Sequence, residues 1–396
     1  MRRLRLLTAG ESHGPAVSGV LEGLPYGLRI STPLINRDLR RRQHGYGSGR
    51  RMLIEQDQVV WMGGLRFGRT LGSPLAFRIE NRDFENWRER MTPDALPARG
   101  RPKAVTLARP GHADLPGAVK YGVDDVRDVL ERASARSTAV RSLAGSVCRQ
   151  LLATVGVHIW SYVEQVGPIR AFPDVDDSLD CVPESWPAAD LVDPSPLRCP
   201  DPAAEQRMIE EIDRVADAGD SIGGAFVVVA SGVPMGLGSA AEWDTRLDGA
   251  LAGAVMAIPA VKAVAIGAGF EIAGRRGSET HDALANPGVG WGRISNRAGG
   301  IEGGMSNGMP IVVRAAVKPV PTMRKPLESV DIRTGEGGRA HIERSDVAIM
   351  PRAAIVGEAM TALVLADALL TSFGGDTIAD LRAAVARRRR RERRPG

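Results

Sequence analysis

Ala353-Ala354-Ile355-Val356-Gly357-Glu358-Ala359-Met360-Thr361-Ala362-Leu363-Val364-Leu365-Ala366-Asp367-Ala368-Leu369-Leu370 decides the fold class. A helix that is apolar around its whole circumference is a core helix, because no face of it prefers water. The stretch therefore predicts a long helix buried against a sheet or a partner subunit. Strands are available to receive it. Gly224 to Ala230 is β-branched and reads as a strand, as does Ile311 to Val317. Leu4 to Ala9 is a short apolar run ended by glycine, which predicts a buried strand. Val126 to Val155 has helical spacing, with Val126, Leu130, Ala133, Val140, Leu143 and Val147 near one face. Ala203 to Ala218 reads as a charged amphipathic helix, and Leu247 to Ile258 as a small-residue helix stopped by Pro259. Residues 36–51 read as an Arg- and Gly-rich loop after a short helix, and 166–203, rich in Pro and Asp, as a surface insertion. There is no dividing linker and no repeat at a fixed period. The expectation is one large α+β domain over residues 1–375, with 376–396 a basic C-terminal helix or tail.

Charge sharpens that division. The 396 residues carry a formal net charge of +5. Arg387 to Gly396 hold seven Arg and one Glu, so this tail supplies +6 and the rest of the chain is left at −1. A nucleic-acid-binding face needs basic charge on the folded body, which argues against nucleic acid as a partner. Six Trp, four Tyr and seven Phe are few for base-stacking platforms. Cys148, Cys181 and Cys199 have neither zinc nor disulfide-framework spacing, which points to a reducing compartment. Met1-Arg2-Arg3-Leu4-Arg5 is followed by no long apolar segment, and no run of about 18 apolar residues occurs. The expectation is a cytoplasmic protein without membrane partners.

Two histidines lie in glycine-bearing turns beside charged residues: His13 in Gly10-Glu11-Ser12-His13-Gly14, and His112 in Arg109-Pro110-Gly111-His112-Ala113-Asp114. Histidine is the natural proton donor or acceptor near neutral pH. Taken alone, each reads first as a surface-loop or capping histidine and only second as a catalytic one. His158 reads as a satisfied core histidine. His281-Asp282 lacks a second ligand pair, so no metal is expected.

Arginine clusters carry the anion chemistry. Arg40, Arg41 and Arg42 precede Gly45-Tyr46-Gly47-Ser48-Gly49-Arg50-Arg51, and Arg132, Arg136 and Arg141 follow one another along a helical segment. Guanidinium groups bind phosphate and carboxylate bidentately, and Gly-rich backbone lets N–H groups approach an anion. A small polyanionic ligand is one reading, a solvated basic face the other. Gly299 to Gly308 has five glycines in ten residues but is neither a P-loop nor a dinucleotide fingerprint. Lys318-Pro319-Val320-Pro321-Thr322 is a stiff segment with a cation at one end and a hydroxyl at the other. It suits a phosphate or an edge strand. No Ser-His-Asp, Cys-His or HExxH pattern supports a hydrolase.

In this order and spacing, Gly10–Gly14, Arg40–Arg51, Arg109–Asp114, Lys120–Gly122, Arg132–Ala139, Asp220–Gly224, Gly232–Ser239, Gly299–Pro310, Lys318–Thr322 and Glu343–Asp346 resemble the chorismate synthase family. The resemblance runs from residue 4 to about residue 372. It implies a β-α-β sandwich, a homotetramer and bound FMN. It also implies a carbon–oxygen lyase reaction: 1,4-anti elimination of phosphate from 5-enolpyruvylshikimate 3-phosphate, giving chorismate, the last common step of the shikimate pathway to aromatic amino acids. Reduced FMN is then the cofactor. Whether NADPH reduces it on the chain or an external flavin reductase supplies electrons stays open.

By the same resemblance, His13 would serve the departing phosphate, His112 the flavin pyrimidine edge, and Asp346 the substrate proton near flavin N5. Ser12, Arg42, Ser48, Arg109 and Arg136 fall at substrate positions. Arg132, Ala133, Ser134, Pro259, Ala260, Gly303, Lys318, Pro319, Val320, Pro321, Thr322 and Arg344 fall at FMN positions, and Ser345 is an auxiliary donor. Four residues depart from the family pattern. Ser48 stands where an arginine is usual, Ser137 where a glutamate is, Pro259 where an Asn or Gln is, and Arg352 where a small residue is. A divergent paralogue of weak or altered activity is therefore the alternative reading, and an anion-binding protein using the Arg-rich tail is the second.

Overall fold

A computed structural model describes residues 3–48, 56–95, 100, 102–172, 189–285, 292–343 and 346–392. Two antiparallel sheets enclose a helical layer. One sheet has four strands, ordered Arg5–Ala9, Ala16–Glu22, Leu75–Glu80 and Val60–Gly63. The other has five, ordered Val261–Ile266, Ile311–Val317, Gly224–Ser231, His158–Val166 and Ile169–Arg170. Between them lie the helices Thr32–Gln43, Thr138–Ala153 and Met350–Phe373. The fold is α+β, as the sequence predicts.

Met350–Phe373 contains the opening stretch and runs through the core against the five-stranded sheet and the Thr138–Ala153 helix. It is long and apolar enough to cross a membrane, yet most of it is buried inside the protein. Small residues set how closely the two helices approach. A Cβ on Gly145 would lie 2.3 Å from Ala359 Cβ, so any larger residue there pushes the helices apart. The one buried charge on the helix, Glu358, is compensated by Arg41 at 2.8 Å, Arg149 at 3.0 Å and Arg198 at 3.3 Å. Burial opposes its ionisation, but the three guanidiniums prevail and bring its pKa from 4.5 to about 2.

Four local expectations are corrected. Leu4 to Ala9 is not a buried strand: Arg5–Ala9 forms the sheet edge and alternates exposed with half-buried residues. Arg40–Arg42 belong to the last turn of Thr32–Gln43, where cations face the helix carbonyl end, so the loop begins only at His44. The segment from Val126 is not continuous. It comprises Arg127–Ala133, a short turn Ala135–Ser137 and Thr138–Ala153, with Ser134 extended between the first two. His158 is exposed at the start of its strand rather than buried. Of the 166–203 segment, residues 173–188, with Cys181, lie outside the described residues, whereas Leu197 and Cys199 are buried.

The basic C-terminal segment is helical over Ile378–Glu392 and packs on the body through Leu381 and Val385. Arg388 and Arg389 donate to the Met235 and Gly232 carbonyls, and the Met235 N–H donates to Glu392. Part of the tail's charge thus docks the helix.

Candidate active site

The Gly10–Gly14 turn joins the first two strands and is anchored on the Arg127–Ala133 helix. The Ser12 N–H donates to the Glu131 carbonyl at 3.1 Å, and the His13 N–H donates to the Glu131 carboxylate at 2.8 Å. His13 Nδ1 lies 2.9 Å from Glu131 Oε1. A carboxylate at Nδ1 fixes the proton there and leaves Nε2 for other chemistry. The imidazole is buried and stacks on Trp87, with ring centroids 3.9 Å apart.

From Glu131 an alternating chain of charges leads to the second histidine. Arg127, one helical turn back, donates to Glu131 at 2.9 Å and to Glu343 at 3.3 Å. Glu343 also accepts from Arg109 at 3.4 Å. Arg109 holds Asp114 in a fork, at 2.8 and 3.1 Å, and Asp114 lies 2.5 Å from His112 Nδ1. The order is therefore His13, Glu131, Arg127, Glu343, Arg109, Asp114, His112.

Each carboxylate in the chain stays ionised for a stated reason. Burial pushes all three upward. For Glu131, the hydrogen bonds and charge of His13, with Arg127, outweigh it and lower the pKa. For Glu343, the His341 hydrogen bond and the charges of Arg109 and Arg127 bring it to about 2. For Asp114, His112 and Arg109 hold it well below the usual carboxylate range. A cleft of about 1330 Å³ opens beside this chain, lined by Gly10, Glu11, Arg127, Glu131 and His341 among others.

The predicted substrate arginines divide into two settings. Arg42 and Arg136 are buried and share Asp57, at 2.8 and 2.6 Å. Arg136 also donates to Asn81 at 2.7 Å, and Arg42 to Thr138 at 3.3 Å. Arg109 belongs to the histidine chain. Ser12 and Ser134 are joined by a 3.1 Å hydroxyl contact. Ser48 is half-buried at the end of the Gly-rich loop, and Ser137 Oγ donates to the Ser134 carbonyl at 3.2 Å.

Among the predicted FMN residues, Arg132 donates to the Thr8 and Gly10 carbonyls and the Thr8 hydroxyl. Ala133 ends its helix. Lys318 donates to the Gly111 carbonyl, and its own N–H donates to the Ala260 carbonyl. The approach needs a glycine, since Gly111 has φ +77° and a Cβ there would lie 3.3 Å from Lys318 Nζ. Val320 accepts from Ser221, and Thr322 from Arg109 at 3.4 Å, which fixes the Pro319–Pro321 segment beside the His112 turn. Gly303 lies in the hairpin of Ile301–Glu302 with Met305–Ser306. Asp346 pairs with Arg352. Arg344 and Ser345 lie outside the described residues, as do Arg50 and Arg51.

The sequence reading gave no role to Trp87, Asp57, Asp114, Arg127, Glu131 or Glu343. Arg127 and Glu131 are spaced as a helical i,i+4 ion pair, which was readable. The others meet only through tertiary structure. Among the described residues, no three His, Cys, Asp or Glu are grouped to hold a metal ion. Asp282, beside His281, instead accepts from Ser295, Arg297 and Ala298.

Comparison with known proteins identifies the family. The family model for chorismate synthase matches residues 4–370. The chain is 53% identical over 380 residues to a chorismate synthase of Desulforudis audaxviator, covering 96% of this chain and 95% of the relative. It is 52% identical to one from Symbiobacterium thermophilum, covering 95% and 96%, and 50% identical to one from Rubrobacter xylanophilus, covering 98% and 97%. A chorismate synthase crystal structure superposes with a TM-score of 0.80 at 39% identity, covering 99% of each chain. The chain belongs to the chorismate synthase family, carbon–oxygen lyases that eliminate phosphate from 5-enolpyruvylshikimate 3-phosphate to give chorismate.

Proposed function

We propose that this chain carries out that elimination at the His13–His112 network with reduced FMN as cofactor. The observation that carries the reading is the unbroken alternation of acid and base from His13 to His112. It fixes two imidazoles and keeps the carboxylates between them ionised.

The residues present fit a flavin mononucleotide. Arg132 and Lys318 meet only carbonyl or hydroxyl oxygens among the described residues, so their charges are available to a phosphate. Arg141 adds to this: burial and the like charge of Arg132 lower its pKa, and its guanidinium donates to the Ala257 carbonyl. Ser134 and Thr322 supply hydroxyl groups, and Gly303, with φ +56°, has open space where a side chain would stand. When bound, reduced FMN supplies electron density for cleavage of the allylic C–O bond.

The protein's own residues then have separable tasks. His13, its Nδ1 held by Glu131, offers Nε2 to the departing phosphate. His112, held by Asp114, governs a proton at the flavin edge. Asp346 accepts the substrate C–H proton. Arg42, Arg136 and Arg109 orient the anionic groups, with Ser12 and Ser48 as hydroxyl donors, and Arg344 completes the cationic set. The family resemblance implies a homotetramer, and Leu7 and Val20, paired across two strands of the four-stranded sheet, are apolar and exposed there.

The test is an anaerobic assay with 5-enolpyruvylshikimate 3-phosphate and chemically reduced FMN, following chorismate and phosphate together. Equal release of both is expected. Neither product from folded protein would overturn the reading. Repeating it with NADPH and oxidised FMN separates self-reduction from dependence on an external reductase.

A further inference from the structure

Asn81 follows directly on the Leu75–Glu80 strand and is only 5% exposed. Its backbone N–H donates to the Pro15 carbonyl at 3.0 Å. Its side-chain amide reaches both halves of the site. Asn81 Nδ2 donates to the Gly14 carbonyl at 2.6 Å and, at a longer 3.3 Å, to the Glu11 and Ser12 carbonyls. These carbonyls flank His13 on either side. Asn81 Oδ1 accepts from Arg136 Nε at 2.7 Å. The partners fix which end of the amide is which, because a carbonyl only accepts and a guanidinium only donates.

The same residue opens the segment that carries Trp87. The Phe84 N–H donates to the Asn81 backbone carbonyl at 3.1 Å, at the start of Phe84–Trp87, and Trp87 stacks on His13. The direction of the Arg136 guanidinium is set in part by Asn81. Its Nε is bound to Asn81, Nη1 to Asp57 at 2.6 Å and Nη2 to the Glu80 carbonyl at 3.4 Å. A buried amide engaged at both ends makes a stiff joint, since moving it breaks several hydrogen bonds together.

We infer that Asn81 is a positioning residue for the elimination: its amide locks the His13 turn to the Arg136 guanidinium. The group that serves the departing phosphate and a cation that orients the substrate then keep a fixed separation. The inference rests on the reading above, which gives His13 and Arg136 those tasks. Asn81 acts through these two residues and touches neither substrate nor flavin. Misplacing a reacting group by about 1 Å can cost 10²-fold in rate, so such a joint matters to turnover.

The test follows both sides of the joint in the full chain. Calorimetry of 5-enolpyruvylshikimate 3-phosphate with oxidised FMN reads the Arg136 side. The Trp87 share of the emission, taken against matching Trp87→Phe proteins, reads the His13 side. Asn81→Ala releases both partners. Asn81→Asp keeps the shape, sets a carboxylate oxygen against the carbonyls of the His13 turn and gives Arg136 a second carboxylate, and it decides the matter if the alanine variant fails to fold. Each is expected to weaken substrate binding by about tenfold, the scale of one charge-assisted hydrogen bond. Each is also expected to raise Trp87 emission toward the level of His13→Ala and to slow turnover by about tenfold or more, with FMN binding retained. No movement of either readout in a folded variant would overturn the inference, as would movement of one without the other. Equal losses of FMN and substrate binding would also overturn it, by showing a general structural role. A wild type that neither binds substrate nor makes chorismate would sink the proposed reaction itself; an active wild type with unmoved variants sinks the role of Asn81 alone.

Discussion

The imidazole of His13 lies against the indole of Trp87, with ring centroids 3.9 Å apart and planes inclined by 25°. Arg127 covers the same indole, its guanidinium carbon 5.0 Å from the ring centroid. An electron-rich ring in this position favours cationic neighbours. Imidazole in contact with an indole quenches its fluorescence. Trp87 emission at a fixed pH is therefore expected to rise in His13→Ala and to stay unchanged in His112→Ala, with Trp87→Phe identifying the Trp87 share of the signal. Unchanged Trp87 emission in His13→Ala would contradict the stack.

Glu131 holds His13 through both its backbone N–H and Nδ1. Glu131→Gln keeps the size and one hydrogen bond but removes the charge that fixes the tautomer. Turnover is expected to fall by about tenfold or more, as for a disturbed acid–base group, with little change in FMN affinity. Steady-state kinetics with parallel flavin titration checks this. Wild-type turnover would remove Glu131 from the mechanism.

Acid sensitivity follows from the lowered carboxylates. Glu343 and Glu358 titrate at about 2 in the folded protein against 4.5 for the free group. A folded pKa below the unfolded one gives stability that is fully present above about pH 4.5 and is lost as pH falls toward 2. Urea unfolding midpoints should accordingly be flat above pH 5 and decline below 4.5. Glu343→Gln should make the decline shallower. An unchanged midpoint down to pH 3 would contradict the assigned ion pairs.

The layers were legible because periodicity and composition record them. The all-round apolar stretch at 353–370 has few stable solutions, and Gly224–Ser231 and Ile311–Val317 carry the β-branched residues of central strands. The edge strand Arg5–Ala9 misled because a short apolar run looks alike at an edge and in a core. His158 misled because the apolar stretch it opens is mostly buried, while the first residue of the strand stands outside the core. At the site, the histidine turns could be read from glycine and charge spacing. Their partners could not: Glu343 lies 212 residues from Glu131 in sequence, and Asp57 binds Arg42 and Arg136 from separate segments. Contacts of that kind leave no local pattern.

The most direct measurement is anaerobic release of phosphate and chorismate by the wild type and His13→Ala side by side, with reduced FMN and saturating substrate. The wild type is expected to give equal amounts of both products, and His13→Ala to be slower by about 10²-fold or more, the scale of a lost general acid. A His13→Ala protein that turns over at the wild-type rate would contradict the account.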